Sequence, residues 1–327
     1  MEKIKAGIIG GSGYTAGELL RLLVNHPLVA IDFVFSTTNA GKPLYVAHPD
    51  LLGNSELLFT DKVNPEVDVL FLCLGHGRSR AFLEANSFSE NTKIIDLGND
   101  FRLDKDSHFQ NKDFVYGLVE SQQAVIEKAN YIANPGCFAT AIQLALLPLA
   151  KAHKLTNAVH INATTGSTGA GVSPSATTHF SWRDNNFSSY KVFTHQHLGE
   201  IGESLTRLQD DFKAPLYFIP NRGNFSRGIY ATIYTYFDGS KQDAEKLFKD
   251  FYKDAIFTWV SDTPITLKQV VNTNKCILHL DLKDGMLIIT SVIDNLIKGA
   301  SGQAIHNLNL MFGFDQHTGL QLKGSAF

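Results

Sequence analysis

Asn134-Pro135-Gly136-Cys137 places a cysteine directly after a turn that cannot be helical, at the head of the apolar run Phe138-Ala139-Thr140-Ala141-Ile142. Proline and glycine block helix on the N-terminal side, so the apolar run predicts a helix whose first turn carries Cys137. At a helix N-terminus, unpaired N–H groups and the positive end of the dipole stabilise a thiolate and make the sulfur more nucleophilic near neutral pH. The same amides would hold an oxyanion formed on an acyl group attacked there. These residue types fit acyl transfer through sulfur, and they fit equally a small buried cysteine packed at a strand-to-helix joint.

A partner for such a thiol is offered by His195-Gln196-His197. If extended, the two imidazoles share one face, and either could act as general acid or base because imidazole titrates near the working pH. A helix is expected just beyond, over Glu200-Ile201-Gly202-Glu203-Ser204-Leu205. Paired cysteines and a metal-spaced third ligand are absent from the sequence, so no metal is expected.

The elements that must position these groups are legible from hydrophobic patterning. Ala6-Gly7-Ile8-Ile9 reads as a buried strand, Gly10-Gly11-Ser12-Gly13-Tyr14-Thr15-Ala16-Gly17 as a glycine-rich turn, and Glu18–Leu23 as a helix ending before Pro27. Further buried strands are expected at residues 30–35, 67–72 and 93–97. Strand–helix alternation of this kind predicts a Rossmann-type doubly wound parallel sheet. Its first turn would seat a dinucleotide pyrophosphate, with Gly10, Ser12, Gly13, Tyr14 and Thr15 as the contacting residues. An NAD site normally offers a carboxylate to the ribose hydroxyls at the end of the second strand. Here the chain reads Ser36-Thr37-Thr38-Asn39-Ala40-Gly41-Lys42, with no acid, which favours NADP and puts Ser36 at the 2′-phosphate. Cys73, at the end of a buried strand before Gly75-His76-Gly77, is expected in the core with its backbone near the nicotinamide.

The second half changes character. Residues 159–164, 228–236 and 276–282 alternate as strands with one buried face, and Asp284-Gly285 between the last of these and Met286–Val292 is a hairpin signal. An α/β fold follows, with an α+β domain bearing a largely antiparallel sheet beside the Rossmann-type domain. Ser167 and Gly169, in Thr165-Gly166-Ser167-Thr168-Gly169-Ala170-Gly171, have the composition of a substrate loop.

A length of 327 residues suits two domains, and a net charge of −3 gives no electrostatic case for nucleic acid or an anionic membrane. Three dispersed cysteines suit a reducing compartment, and the opening stretch, residues 1–8, enters a strand pattern at once, so a cytoplasmic protein is expected.

Taken in order along the chain, the glycine turn at 10–17, Asp96-Leu97-Gly98-Asn99-Asp100-Phe101-Arg102-Leu103, residues 131–140, His195-Gln196-His197 and residues 294–304 resemble the N-acetyl-gamma-glutamyl-phosphate reductases of arginine biosynthesis. These sit in a wider group with the aspartate-semialdehyde and glyceraldehyde-3-phosphate dehydrogenases. The resemblance implies an NADPH-dependent reduction of an acyl phosphate to an aldehyde through a Cys137 thioester, with His197 or His195 handling the proton. It implies substrate contacts from Arg102 and Asn134, cofactor contacts from Asn295 and Lys298, and a homodimer or homotetramer. It further implies a discontinuous dinucleotide domain of residues 1–137 and 300–327 around a catalytic and oligomerisation domain of residues 138–299. Relatives often carry an arginine near Thr37 and a His-Arg-His triplet followed by a proline before the glutamate; Gln196 and Gly199 depart from the latter, which leaves acetyl, succinyl and aminoadipyl substrates open. Aspartate-semialdehyde dehydrogenase chemistry and a non-catalytic NADP-binding regulator are the alternatives.

Overall fold

A computed structural model describes residues 2–325. The chain begins with β1 (Ile4–Ile9), α1 (Tyr14–Leu23), β2 (Val29–Phe35), β3 (Phe59–Thr60), β4 (Val69–Leu72), α2 (Ser79–Ala85) and β5 (Lys93–Asp96). A short hairpin of β6 (His108–Phe109) and β7 (Lys112–Asp113) precedes β8 (Val115–Tyr116), α3 (Val119–Ile126) and β9 (Tyr131–Ala133). Seven of these strands form one sheet in the order β3-β2-β1-β4-β5-β9-β8, every pair parallel. The order reverses between β1 and β4, which is the switch point of a doubly wound sheet. Its central strands are apolar on both faces: Val69, Leu70, Phe71 and Leu72 are all buried, as a sheet covered on both sides requires.

The chain continues into α4 (Cys137–Lys151), β10 (Val159–Thr165), α5 (Phe180–Arg183), β11 (Ser188–Ser189), α6 (His197–Leu208), β12 (Leu216–Arg222) and β13 (Ile229–Tyr236). Then follow α7 (Lys241–Phe251), β14 (Thr258–Ser261), β15 (Cys276–Lys283) and β16 (Met286–Ile293). The second sheet has the order β11-β12-β10-β13-β16-β15-β14. Pairing is antiparallel except for β10 with β12 and β14 with β15. Asp284 and Gly285 both take positive φ, 50° and 78°, closing β15 on β16 with the turn that an Asp-Gly pair favours. Residues Phe138–Ala150 of α4 are buried on every side, which marks a helix packed between the sheet and its neighbouring helices, α6 among them. In β13 the inward set is Ile229, Ala231, Ile233 and Thr235, and the outward set includes Tyr230, Tyr234 and Tyr236.

Beyond β16, a π-helical turn at Ile297–Ser301 leads into α8 (Gly302–Met311). Two compact units result: one comprises the described residues up to Pro135 with Ala300–Gln321, the other Gly136–Gly299 with residues 322–325. Cys137, expected at the end of the first domain, falls in the second. Residues 322–325 also fall there, with Gly324 against the carbonyl of Val271. In the first unit, Gln303 and Asn307 of α8 donate to the Gly117 carbonyl, and Asn307 also donates to Asn134 Oδ1.

The first unit holds one carboxyl at high energetic stake. Asp96 is fully buried at the end of β5, where its Oδ1 accepts from Ser79 Oγ at 2.6 Å and from the Gly98 amide at 3.0 Å. Burial pushes its pKa up to about 6, with Asp100 adding to the rise and Ser79, Gly98 and Arg102 opposing it. A folded-state pKa above the unfolded value favours the fold at low pH, and that contribution is lost as pH rises through the folded value. Asp96→Asn should therefore gain stability over the wild type as pH rises from about 4 to above 6, by about 2–3 kcal/mol at the upper end. Melting temperatures of both proteins across that range check this; parallel curves would contradict it.

Candidate active site

Gly136 is the N-cap of α4 with φ −72° and ψ 151°, and Cys137 is the first helical residue. No N-cap side chain bonds to the first turn of this helix. The Gly136 carbonyl takes both the amide and the hydroxyl of Thr140, at 2.8 and 3.0 Å, which locks the first turn.

Gly299 lies directly on the cysteine: a Cβ there would stand 2.8 Å from Cys137 Cβ and 3.2 Å from its Cα. Its amide donates to the Asp294 carbonyl at 2.9 Å, a reach of five residues that belongs to the π turn. Asp294 fixes that turn, accepting from the amides of Leu296, Ile297 and Asn272 and from Arg227 through Nε and Nη2, both at 3.1 Å. Gly299→Ala should cut turnover by at least about tenfold, because neither backbone can yield without moving the thiol. Steady-state kinetics with a melting curve check this, and unchanged kcat would contradict it.

His195 and His197 pack around the same helix start. Their rings are 4.5 Å apart at 76°, and both lie edge-on to Phe138, at 5.5 and 6.3 Å. The pair is not extended: Gln196 has helical φ and ψ, −57° and −26°, and α6 begins at His197 itself. His195 Nδ1 accepts from the His197 amide at 3.2 Å, so a neutral His195 carries its proton on Nε2. His197 Nε2 lies 3.8 Å from Glu200 Oε1, and Glu200 Oε2 accepts from the Gly136 amide at 3.0 Å. One buried carboxylate thus ties an imidazole to the turn that presents the thiol. Tyr190 completes the cluster, edge-on to His195 at 5.8 Å with the Arg222 guanidinium 4.5 Å from its ring centre. Burial first and the nearby Cys137 second hold its phenol well above the ordinary range.

Ser167 and Gly169 fall in a 3₁₀ turn at Ser167–Ala170 whose amides bond to Phe225 and Ser226. Asn295 tethers that turn, its Nδ2 donating to Thr168 Oγ1 at 3.0 Å and its Oδ1 accepting from the Gly228 amide at 2.6 Å. Lys298 is wholly buried in the π turn.

The remaining expected residues lie in the first unit. Gly10 has φ +77°, and a Cβ there would meet the Cys73 carbonyl oxygen at 2.6 Å, so only glycine allows this turn its approach to the end of β4. Gly13 is the N-cap of α1, which no side chain caps, and Tyr14 and Thr15 open the helix. Ser12 and Ser36 hydroxyls are 2.8 Å apart, Thr38 is 3.4 Å from Ser36, and Asn39 Nδ2 donates to Ser12 at 3.0 Å. A glycine turn over uncapped helix amides, with hydroxyls and an amide beside it, fits a dinucleotide phosphate set. Cys73 is half-buried, and burial, with the Asp96 carboxyl next, raises its thiol far above the usual value, which disfavours the thiolate there. Arg102 donates from Nε to the Asn134 carbonyl and from Nη2 to the Leu97 carbonyl, and Asn134 Nδ2 donates to the Ala300 carbonyl. These two brace the loops after β5 and β9.

The two halves of the chain match family models described as semialdehyde dehydrogenase, NAD binding domain, at residues 5–129, and semialdehyde dehydrogenase, dimerisation domain, at residues 137–295. Solved structures with the same fold include aspartate semialdehyde dehydrogenase II of Vibrio cholerae, TM-score 0.71 at 14% identity, covering 96% of this chain and 99% of that one. Aspartate semialdehyde dehydrogenase with NADP from Candida albicans superposes at TM-score 0.69 and 15% identity, covering 95% and 99%. Nearer relatives are N-acetyl-gamma-glutamyl-phosphate reductases of Flavobacterium johnsoniae, 66% identical, and Christiangramia forsetii, 60% identical, each over 99% of this chain and 100% of theirs. The chain belongs to the N-acetyl-gamma-glutamyl-phosphate reductase family.

Proposed function

We propose that this chain reduces N-acetyl-gamma-glutamyl phosphate to N-acetylglutamate 5-semialdehyde and phosphate, with NADPH as reductant. The observation that carries the mechanism is the linkage of Cys137, at the head of α4, to His197 through Glu200 and the Gly136 amide. His197 takes the thiol proton, and the Cys137 sulfur adds to the acyl carbon. As the carbon–oxygen bond to phosphate breaks, a thioester remains on Cys137. The first amides of α4 stabilise the oxyanion formed in that addition. NADPH, when bound, supplies a hydride to the thioester carbon. The alkoxide left on that carbon collapses, the carbon–sulfur bond breaks, and the aldehyde leaves Cys137 as thiolate, which takes back the proton held on the imidazole.

Gly10, Ser12, Gly13, Tyr14 and Thr15 would hold the pyrophosphate, and Ser12, Ser36, Thr38 and Asn39 the 2′-phosphate, since residues 36–42 offer no carboxylate to repel it. Arg102, Asn134 and Asn295 are assigned positioning roles, for the loops and turns they brace. An assay offering acetylated, succinylated and unacylated semialdehydes with phosphate and NADP tests the reading: the acetylated compound should be oxidised fastest. Preference for aspartate semialdehyde would overturn it, as would Cys137 alkylation without loss of turnover.

A cytoplasmic homo-oligomer completes the proposal. The second sheet exposes Tyr217, Tyr230, Tyr234 and Tyr236 on its outward face, with His160 stacked on Tyr234 at 5.0 Å, a surface suited to a second copy of this chain. Sedimentation equilibrium should then report two or four chains, and a monomer at micromolar concentration would contradict it.

A further inference from the structure

The glycine-rich turn has a support that lies outside its own sequence. His48, in the segment between β2 and β3, is buried, and its Nε2 stands 2.6 Å from the Gly11 carbonyl oxygen. A carbonyl can only accept, so Nε2 donates. Room for the ring comes from Gly17 on α1, where a Cβ would stand 2.6 Å from His48 Nδ1, and Phe59 closes the far side at 6.3 Å between ring centres. The Gly11 amide is also committed, donating to the Phe35 carbonyl at 2.9 Å. Both polar groups of Gly11 are therefore held from outside the turn.

That grip has a directional consequence. In a planar trans peptide the C=O and the following N–H point in opposite directions. Holding the Gly11 carbonyl on His48 thus turns the Ser12 amide away from His48, on the side of the turn opposite the ring. We infer that His48 is a positioning residue for dinucleotide binding, orienting the Gly11–Ser12 peptide so that the Ser12 amide is presented to the pyrophosphate. The inference rests on the proposed dinucleotide role of this turn and adds a residue that touches no ligand.

Titration of the full-length protein with NADPH, followed by fluorescence, tests it alongside steady-state kinetics. His48→Leu should raise the NADPH Kd and KM about tenfold or more, with kcat at saturating NADPH close to wild type. His48→Gln, whose amide nitrogen can reach the place of Nε2, should restore most of the affinity, and His48→Asn, one bond shorter, should not. Gly17→Ala keeps the imidazole but drives a methyl into it, so it should weaken binding like His48→Leu and serves if that variant does not fold. Unchanged NADPH affinity in both His48→Leu and Gly17→Ala, or a fall in kcat with KM unaltered, overturns the inference. A wild-type protein that binds no NADPH overturns instead the dinucleotide reading beneath it.

Discussion

Replacing Cys137 by serine is expected to lower turnover by about four orders of magnitude or more while leaving the melting temperature and NADPH affinity nearly unchanged. A hydroxyl at this place is the same shape within a few tenths of an ångström, so the packing of Gly299 on the Cys137 backbone survives. What changes is acidity: an alcohol resists the ionisation that a helix N-terminus gives a thiol, and an ester is reduced by hydride less readily than a thioester. Iodoacetamide should label the wild type at Cys137 and abolish activity in step with labelling. Cys73 should resist it, because burial and Asp96 hold that thiol protonated. Full steady-state activity in Cys137→Ser would end the covalent account.

Glu200→Gln should lower kcat about a hundredfold with KM for the acyl phosphate little altered. The substitution keeps an oxygen for the Gly136 amide, so the turn before Cys137 stays in place. It removes the negative charge 3.8 Å from His197 Nε2, and with it the counter-charge to the imidazolium that forms when His197 takes the thiol proton. Both groups are buried, where such a loss is weakly screened. Because the two act as one unit, His197→Ala and the double variant should be impaired to a similar degree rather than additively. Rate measurements on the three variants check this, and additive losses would show that Glu200 works apart from His197.

Glu200 was not legible as a site residue in the sequence, and the reason is geometric. His195-Gln196-His197 suggested an extended doublet, and the helix was expected to start at Glu200. Gln196 is helical instead, α6 starts at His197, and Glu200 then follows one turn later on the same side. Had the helix start been placed there, the three-residue spacing would have pointed to it. Tyr190 and His48 gave no local signal at all: each acquires its place from chain distant in sequence, Tyr190 from Arg222 and His48 from Gly11.

What the sequence did reveal rests on residues with few conformational options. Pro135-Gly136 can hardly do other than start α4, Gly10 marks a positive φ, and Asp284-Gly285 marks the turn between β15 and β16. Asp294 and Asn295 follow directly on the last strand, β16. Asp294 caps the turn that follows, and that turn is π-helical, which brings Gly299 onto Cys137. A π turn has no strong sequence signature, since one wider hydrogen bond is set by what the backbone packs against.

The covalent claim is tested most directly by mixing the enzyme with N-acetyl-gamma-glutamyl phosphate in the absence of reductant, quenching in acid and measuring the intact mass. One acyl group per chain should appear, mapped by peptide mass spectrometry to Cys137, and it should disappear on a chase with NADPH. Phosphate release and later reduction with no adduct on Cys137 at any quench time would contradict the account.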